Sequence, residues 1–302
     1  MPMPFFFQAR GFFNRPYLLL TLTMLFWAGN AVLGRAVRTE VPPVGLAFCR
    51  WSFGFLFVLP FALPHLRRDW PEARRRRRIL LLLAFLGITC FNTMLYIGLH
   101  STTAINAILI QSSMPVIIVI MSFLFFRETV TPIQALGILV SLIGMITIIA
   151  QGDPSVLMAL SLKPGDIWVF TAVFLYGAYS VLLRLRPRIH PASLLAILFG
   201  AGTLLLAPFF VWEMRAGYVL SFNRVTLLAV GYVAVFPSIL SYLFYNRGVE
   251  LVGANQAGLF IHLVPVFGTI LAILLLGERF MIFQFMGIAL ILSGIYLVTR
   301  AK

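Results

Sequence analysis

The sequence predicts an all-α integral membrane protein whose ten transmembrane helices form two five-helix repeats of inverted topology around a central cavity. Three observations lead to this fold class: the composition, the length of the apolar runs and an internal repeat. Of the 302 residues, 61% are hydrophobic and 11% are charged, and the mean hydropathy is +1.00. A water-soluble chain of this length could not bury so much apolar surface, whereas a chain in a lipid bilayer need not bury it.

The apolar runs have the length of transmembrane helices. A helix needs about 20 apolar residues to cross about 30 Å of hydrocarbon. Ten runs meet this requirement, approximately at 17–36, 44–63, 79–99, 103–125, 131–150, 166–184, 191–212, 225–247, 254–276 and 281–299. The connectors are mostly short, so we predict one polytopic membrane domain over residues 1–302. A transmembrane barrel would instead show alternating segments of about ten residues.

The first run and the two cysteines indicate neither a cleaved signal peptide nor a covalent or metal cross-link. The first run has no small-residue cleavage site and more spans follow it, so we expect it to be retained as a transmembrane helix. Cys49 and Cys90 both fall inside predicted spans. They predict neither a disulfide framework nor a metal site, and we expect no cofactor.

The distribution of basic residues predicts the orientation. Most of the 23 Lys and Arg residues fall in segments that share a side with the N-terminus. Both termini are therefore expected in the cytoplasm. An even number of spans also requires that both termini lie on one side of the membrane. The basic cluster is expected to face anionic lipid headgroups, with a binding site for a partner or a specific lipid as the alternative. It comprises Arg74, Arg75, Arg76, Arg77 and Arg78. A nucleic-acid function would need a soluble basic surface, and the net charge of +14 does not indicate one here.

An internal repeat divides the chain into residues 17–150 and 166–299. At an offset of 150, the matched pairs are Gly98 with Gly248, Ala104 with Ala254, Ala107 with Ala257, Pro115 with Pro265, Glu128 with Glu278, Gln134 with Gln284, Gly137 with Gly287 and Gly144 with Gly294. Near the start of each half, "FWAGNAVLGR" aligns with "LYGAYSVLLR" at an offset of 149, which pairs Arg35 with Arg184. Each half has five spans. Because five is odd, the second half enters the bilayer from the opposite face, so the halves form an inverted repeat. Exchange of the conformations of two such halves converts a cavity open to one side into a cavity open to the other, which is alternating access.

A proline lies in the middle of an apolar helix in both halves, at Pro115 and at Pro265. A proline cannot donate its backbone hydrogen bond and displaces the carbonyl four residues earlier, here at Gln111 and Ile261. We interpret both sites as hinges that face the bundle interior. Fixed kinks that only serve packing are the alternative.

The few polar residues in these spans should point inward, because polar groups that face lipid are costly. Several recur at matching positions of the two halves: Asn92 and Tyr96 in one correspond to Tyr242 and Asn246 in the other, with the residue types exchanged. The candidate substrate-binding residues are Trp27, Asn30, Asn92, Tyr96, Gln111, Tyr176, Tyr179, Tyr242, Asn246, Gln256 and His262. They predict a chamber with aromatic walls and neutral hydrogen-bonding groups. Any one of them could instead hold two helices together.

The ionisable residues bear on the coupling mechanism. No carboxylate falls at the middle of a predicted span. Ion-coupled transporters often have a buried carboxylate there, so the sequence favours facilitated movement, although His262 leaves a proton-linked route open. Arg50 lies within a span and needs partners. It is expected either to bind a substrate carboxylate or to have a structural role.

The order and doubling of these motifs resemble those of the EamA-type drug/metabolite transporter (DMT) superfamily. The resemblance rests on the five-plus-five layout, "FWAGN", "FCRWSFG" and the paired E-x5-Q-x2-G patterns that begin at Glu128 and Glu278. Within that superfamily the chain is most similar to the YddG-like amino-acid exporters of bacterial inner membranes. The resemblance implies a basket-shaped helical bundle, export from the cytoplasm and no hydrolysed nucleotide.

The sequence therefore leads us to expect a monomeric exporter of small amphipathic metabolites, above all aromatic and other neutral amino acids. A multidrug or other metabolite exporter of the same superfamily, linked to protons, is the alternative at the level of substrate. An intramembrane enzyme or a channel is the alternative from another class. An aspartyl protease would need two buried Asp residues and a channel a filter-like loop, and the sequence shows neither.

Overall fold

A computed structural model describes residues 11–37, 42–218, 223–276 and 280–301. Within these ranges the chain forms helices and turns and no strand, which confirms the all-α prediction. Among the residues singled out in the sequence, Glu278 lies outside the described residues.

The helices of the first half cover its predicted spans. They are α1 (Pro16–Val37), α2 (Pro43–Arg75), α3 (Arg77–Leu83), α4 (Phe91–Ser101), α5 (Ala104–Ser112), α6 (Met114–Phe126) and α7 (Pro132–Ile149). A π-helical segment, Ala84–Cys90, joins α3 to α4. The short helix α8 (Pro154–Met158) lies between the halves.

The second half repeats this order. Its helices are α9 (Pro164–Leu182), α10 (Pro191–Arg215), α11 (Arg224–Ala234), α12 (Ser241–Leu259), α13 (Leu263–Leu276) and α14 (Ile282–Arg300). A π-helical segment, Val235–Leu240, joins α11 to α12 at the position that corresponds to the π-helical segment of the first half. Short 3₁₀ turns follow α9 at Leu183–Leu185 and α12 at Phe260–His262.

The number of spans differs from the predicted ten. By length and composition, 8 helical segments of the described chain could cross a membrane. One of them, Thr226–Leu271, has 46 residues and covers two predicted spans, and α1 is not among the eight. Within the long segment the backbone leaves the helical conformation at Gly253 (φ 82°, ψ 164°), between the eighth and ninth predicted spans. Glycine adopts this positive φ without a Cβ clash.

Helix α2 is longer than the predicted span 44–63. Its 33 residues correspond to about 50 Å of helix, which exceeds the hydrocarbon thickness. The basic cluster therefore begins at the end of a helix that continues past the apolar run, and all five of its arginines are exposed. At the other end of α2, the carboxylate of Glu213 accepts hydrogen bonds from the N–H groups of Val44 (3.0 Å) and Gly45 (2.6 Å). These bonds satisfy backbone donors that a helix start leaves free.

Helices α7 and α14, which match in the two repeats, contact each other through glycines. A Cβ atom on Gly137 would lie 2.7 Å from the carbonyl oxygen of Gly294, and one on Gly144 would lie 2.6 Å from that of Gly287. The earlier glycine of one helix meets the later glycine of the other, so the helices are antiparallel. A two-fold axis that relates two antiparallel helices is perpendicular to both of them. The repeats therefore have inverted topology, as the odd number of spans predicts.

The two halves also contact each other at two further helix crossings. Gly98 of α4 lies against Gly165 of α9, where a Cβ atom on Gly98 would be 2.9 Å from the Gly165 carbonyl oxygen. At the corresponding crossing, Gly248 of α12 lies against Leu20 of α1. Helices of each half thus pack directly against helices of the other half, and both halves line the bundle interior.

Candidate functional site

Aromatic side chains from several helices meet at the centre of the bundle. Tyr176 contacts Trp27 (ring centroids 5.5 Å apart), Tyr179 (5.3 Å) and Tyr245 (5.7 Å). Tyr179 in turn lies 5.8 Å from Tyr242. Four predicted residues and Tyr245, which was not predicted, thus form one group, which we call the aromatic cluster: Trp27, Tyr176, Tyr179, Tyr242 and Tyr245.

The aromatic cluster is closed in this structure. The rings of Tyr176, Tyr179 and Tyr245 are 0% exposed, and that of Tyr242 is 1% exposed. The side chains themselves fill the predicted chamber, so binding of a solute there requires the rings to move apart.

The π-helical segment of the first half is closely packed against the aromatic cluster. The hydroxyl of Tyr242 donates to the carbonyl oxygen of Gly87. A Cβ atom on Gly87 would lie 2.5 Å from the Tyr179 ring, so glycine is required for this approach. π-helical turns inside α-helices release backbone carbonyls and are frequent at functional sites. Here one such carbonyl binds a predicted site residue.

Arg50 joins three further predicted residues. Its Nη1 donates to Asn92 Oδ1 (3.1 Å), the Tyr96 hydroxyl (3.2 Å) and Asn30 Oδ1 (3.5 Å). The neighbouring Trp51 lies 5.2 Å from Tyr242, so this polar group adjoins the aromatic cluster. Of the two roles expected for Arg50, the structural one is visible, because the guanidinium binds several helices together.

The other two guanidinium nitrogens of Arg50 bind groups of the second repeat. Its Nε donates to Ser238 Oγ at 2.5 Å, and its Nη2 donates to the carbonyl oxygen of Pro237 at 2.8 Å. Both acceptors belong to the π-helical segment Val235–Leu240. Arg50 therefore links the first repeat to the irregular turn of the second.

Asn246 lies at the end of the aromatic cluster that adjoins a group of ion pairs. The hydroxyl of Tyr179 donates to Asn246 Oδ1 at 2.8 Å, and Arg186 donates to the Asn246 carbonyl oxygen at 3.1 Å. Arg186 also pairs with Glu250 at 2.7 Å. In the predicted orientation these groups lie on the cytoplasmic side. Nearby, Arg184 reaches Glu128 of the first repeat at 3.2 Å.

Three predicted residues lie apart from these contacts. Gln111 donates to the carbonyl oxygen of Ala107 in its own helix, and Gln256 accepts from the Tyr17 hydroxyl at 3.5 Å. His262 is 0% exposed and bonds to other groups described below. The described contacts join none of the three to the aromatic cluster.

Both proline-containing helices are interrupted where the sequence predicts a bend. In the first repeat α5 ends at Ser112 and α6 starts at Met114, and in the second a 3₁₀ turn ending at His262 precedes α13. His262 Nε2 donates to the carbonyl oxygen of Ser112, 150 positions earlier, at 3.0 Å. Its Nδ1 lies 2.7 Å from Ser141 Oγ. The two interruptions are thus bonded to each other, and the carbonyl used is one residue after the predicted Gln111.

Some polar atoms at the centre have no partner. The Tyr176 hydroxyl, Trp51 Nε1 and Asn246 Nδ2 are buried without a hydrogen bond. Buried polar groups are paired in the great majority of cases, and an unpaired one calls for an explanation. All three lie on residues of, or in contact with, the aromatic cluster, where a bound solute could satisfy them.

Sequence reasoning missed several residues at this site. Tyr245, Trp51, Ser238 and Pro237 were not predicted. Tyr245 stands three positions after Tyr242, a spacing that places two residues on one face of a helix, so a longer stripe would have included it. Nothing in the sequence indicates that Ser238 and Pro237 face Arg50.

Comparisons with known proteins agree with this architecture. The profile of the EamA-like transporter family matches residues 14–150 and again residues 163–300. The two matches coincide with the two repeats. Each copy of the family's domain therefore corresponds to one half of the chain.

Relatives cover nearly the whole chain. The uncharacterized transporter YyaM of Bacillus subtilis is 26% identical over 253 residues, covering 81% of each chain. An uncharacterized transporter of Archaeoglobus fulgidus is 26% identical over 293 residues, covering 96% of this chain and 99% of its own. The uncharacterized inner membrane transporter YicL of Salmonella typhimurium is 25% identical over 296 residues, covering 96% of each.

A solved crystal structure has the same fold. Its TM-score is 0.76 at 18% sequence identity, and the match covers 95% of this chain and 98% of the other. At this identity the similarity concerns the fold alone.

Proposed function

The chain belongs to the EamA-like transporter family and is a multi-pass membrane protein, and from that premise we propose that it exports amino acids, aromatic and other neutral ones, from the cytoplasm. The observation that carries this proposal is the aromatic cluster with its unpaired polar atoms. An aromatic or aliphatic side chain suits the faces of Trp27 and Tyr176, and the polar end of an amino acid suits the hydroxyl, indole and amide groups beside them.

Alternating access is the proposed mechanism. Because the repeats are alike and inverted, exchange of their conformations would open the aromatic cluster to the opposite side. The interrupted helices at Pro115 and Pro265 are the proposed hinges, and the His262–Ser112 bond would couple one to the other. The ion pair between Glu128 and Arg184 would hold the cytoplasmic side closed in the state described above.

We propose that the solute moves down its own concentration gradient by facilitated transport. Glu250 lies inside α12, where it pairs with Arg186 and Arg247, and the other described carboxylates lie in loops or within about two turns of a helix end. They give no support for a carboxylate switch at the middle of the membrane. The proton-linked alternative would act through His262, which bridges the two interrupted helices. A multidrug exporter is the alternative at the level of substrate, because the rings could bind cations by cation-π contacts.

The proposed location is a bacterial inner membrane, with both termini in the cytoplasm and the protein acting as a monomer. The name of the Salmonella relative places that protein in an inner membrane. The exposed arginines from Arg74 to Arg78, next to a helix that extends past the hydrocarbon, support binding of anionic lipid headgroups on the cytoplasmic side.

Transport by the purified full-length protein in lipid vesicles tests the proposal. Wild-type protein should take up labelled phenylalanine with saturable kinetics. Trp27→Ala should raise the half-saturation concentration about tenfold, which corresponds to about 1.4 kcal/mol of lost binding. Trp212→Ala is the matched control, because Trp212 is 68% exposed and lies outside the aromatic cluster. Equal half-saturation concentrations in both variants would remove the aromatic cluster as the binding site.

A further inference from the structure

Arg50 is a buried cation that lacks a counter-ion among the described residues. Its side chain is 2% exposed, and all five of its acceptors are uncharged. An arginine stays protonated in proteins, and a charge inside a membrane domain is costly unless it is paired. The charge without a counter-ion therefore points to an anion that the described residues do not supply.

The described carboxylates are all engaged elsewhere. Those of Glu72, Glu128 and Glu250 pair with other arginines, and those of Asp69, Asp153, Asp166 and Glu213 accept hydrogen bonds from backbone N–H groups. None of them forms an ion pair with Arg50. Of the nine Asp and Glu residues, only Glu40 and Glu278 lie outside the described residues.

The arms of the guanidinium are held unequally. Nε and Nη2 form the short bonds to Ser238 and Pro237, at 2.5 and 2.8 Å. Nη1 shares its two hydrogens among three neutral acceptors at 3.1, 3.2 and 3.5 Å. Hydrogen bonds from a guanidinium to a carboxylate are shorter than those to a neutral acceptor and roughly twice as strong. A carboxylate would therefore displace the acceptors of Nη1 and leave the anchored side in place.

We propose that Arg50 binds the carboxylate of the transported solute, with Nη1 exchanging Asn92 and Tyr96 for the incoming anion. The inference rests on the proposed export of amino acids and narrows the substrate class to solutes that bear a carboxylate. Because Arg50 lies on α2 and Asn92 and Tyr96 lie on α4, the exchange would also loosen one contact between two helices of the first repeat as the solute binds, while the bonds to the second repeat stay. Cationic drugs without a carboxylate would gain nothing from this site.

Paired ligands that differ only in the carboxylate test the proposal. Thermal stabilisation of the purified full-length protein is measured with phenylalanine and with phenylalaninamide. The acid should stabilise the wild-type protein at a concentration at least about tenfold lower than the amide, since hydrogen bonds to charged groups contribute more than neutral ones. Stabilisation by the amide at the same concentration as the acid would overturn the proposal.

Variants assign the preference to Arg50. Arg50→Gln should abolish the preference for the acid, whereas Arg215→Gln, which changes an exposed arginine at the end of α10, should keep it. Should Arg50→Gln fail to fold, Arg50→Lys decides the question. It keeps the charge without the planar fork, so the acid should bind more weakly than to wild type but still better than the amide. An unchanged affinity for the acid in Arg50→Lys would contradict the proposal.

A second ligand pair separates this inference from the proposed function. If no amino acid stabilises or is transported by the wild-type protein, the proposed function fails. The role of Arg50 is then decided by 3-phenylpropanoate and its amide, which lack the amino group. A preference for the acid that disappears in Arg50→Gln supports the inference, and no preference overturns it.

Discussion

The glycine contact between α7 and α14 gives a prediction whose size follows from the structure. In Gly144→Ala the new Cβ atom would lie 2.6 Å from the Gly287 carbonyl oxygen and 2.7 Å from Leu290 Cβ. Carbon atoms are normally about 3.5–4.0 Å apart, so the helices must separate locally by about 1 Å. Overpacking of this kind costs about 1–3 kcal/mol.

A second glycine isolates this cost. Gly231 lies inside α11, and a Cβ atom there would meet nothing within 4 Å. Both Gly231→Ala and Gly144→Ala gain up to about 1 kcal/mol of helix propensity. The difference between the two variants therefore reports the overpacking alone.

Thermal unfolding of the purified protein measures the difference. Gly144→Ala should unfold at a lower temperature than Gly231→Ala, by about 2–4 °C for each kcal/mol. Gly294→Ala, at the position equivalent to Gly144, should behave alike, because its Cβ atom would lie 2.4 Å from the Gly137 carbonyl oxygen. If both variants are as stable as Gly231→Ala, the close antiparallel contact that relates the repeats is absent.

Two further predictions concern single side chains. Tyr179→Phe removes the donor to Asn246 and should destabilise the closed state by about 1 kcal/mol. The expected sign is faster labelling of a cysteine placed at Val249, which is buried in the same helix and leaves Asn246 intact. Tyr296→Phe, at an exposed tyrosine, should leave the labelling rate unchanged. Burial, and then the charge of the stacked His65, lowers the pKa of His190 below its ordinary value, although Asp69 raises it. The folded protein should therefore lose stability as pH falls from about 6.5, the unfolded value, toward the lower pKa of His190 in the folded state. Protonation at that lower pH also removes the Nδ1 acceptor that caps the Ala192 N–H. His190→Asn, which keeps a capping acceptor, should flatten this dependence in thermal unfolding between about pH 8 and pH 5; an equally steep curve would contradict the assignment to His190.

The sequence contained enough to predict the class of fold and its repeat. Apolar length identifies spans because the hydrocarbon thickness is fixed, and Gly137, Gly144 and their equivalents were visible as matched pairs. The apolar runs of the sequence separate the eighth and ninth spans, whereas in the structure one helical segment, Thr226–Leu271, covers both. Its backbone leaves the helical conformation at Gly253, between the two predicted spans.

The candidate site was predicted in part. Trp27, Tyr176, Tyr179 and Tyr242 lie together because the repeat places equivalent faces of equivalent helices at the bundle centre. Periodicity could not place Gln256, which bonds to Tyr17, since inward-facing polar residues at different depths have the same pattern.

The partners of Arg50 show what pattern reasoning omits. Ser238 is 188 positions away in the chain, and its hydroxyl faces Arg50 because a π-helical turn shifts the register of that helix. Sequence periodicity assumes a regular helix. The irregular turns, where the geometry departs from that assumption, are therefore the part of the site that the sequence did not predict.

We propose that the aromatic cluster is exposed alternately to the two sides of the membrane and carries amino acids across it. The decisive measurement is the efflux of labelled phenylalanine from vesicles that contain the wild-type protein, with and without unlabelled phenylalanine outside. A carrier returns faster when loaded, so external phenylalanine should accelerate efflux, and the acceleration should saturate. Efflux that is unaffected by external phenylalanine and rises linearly with its internal concentration would contradict the account.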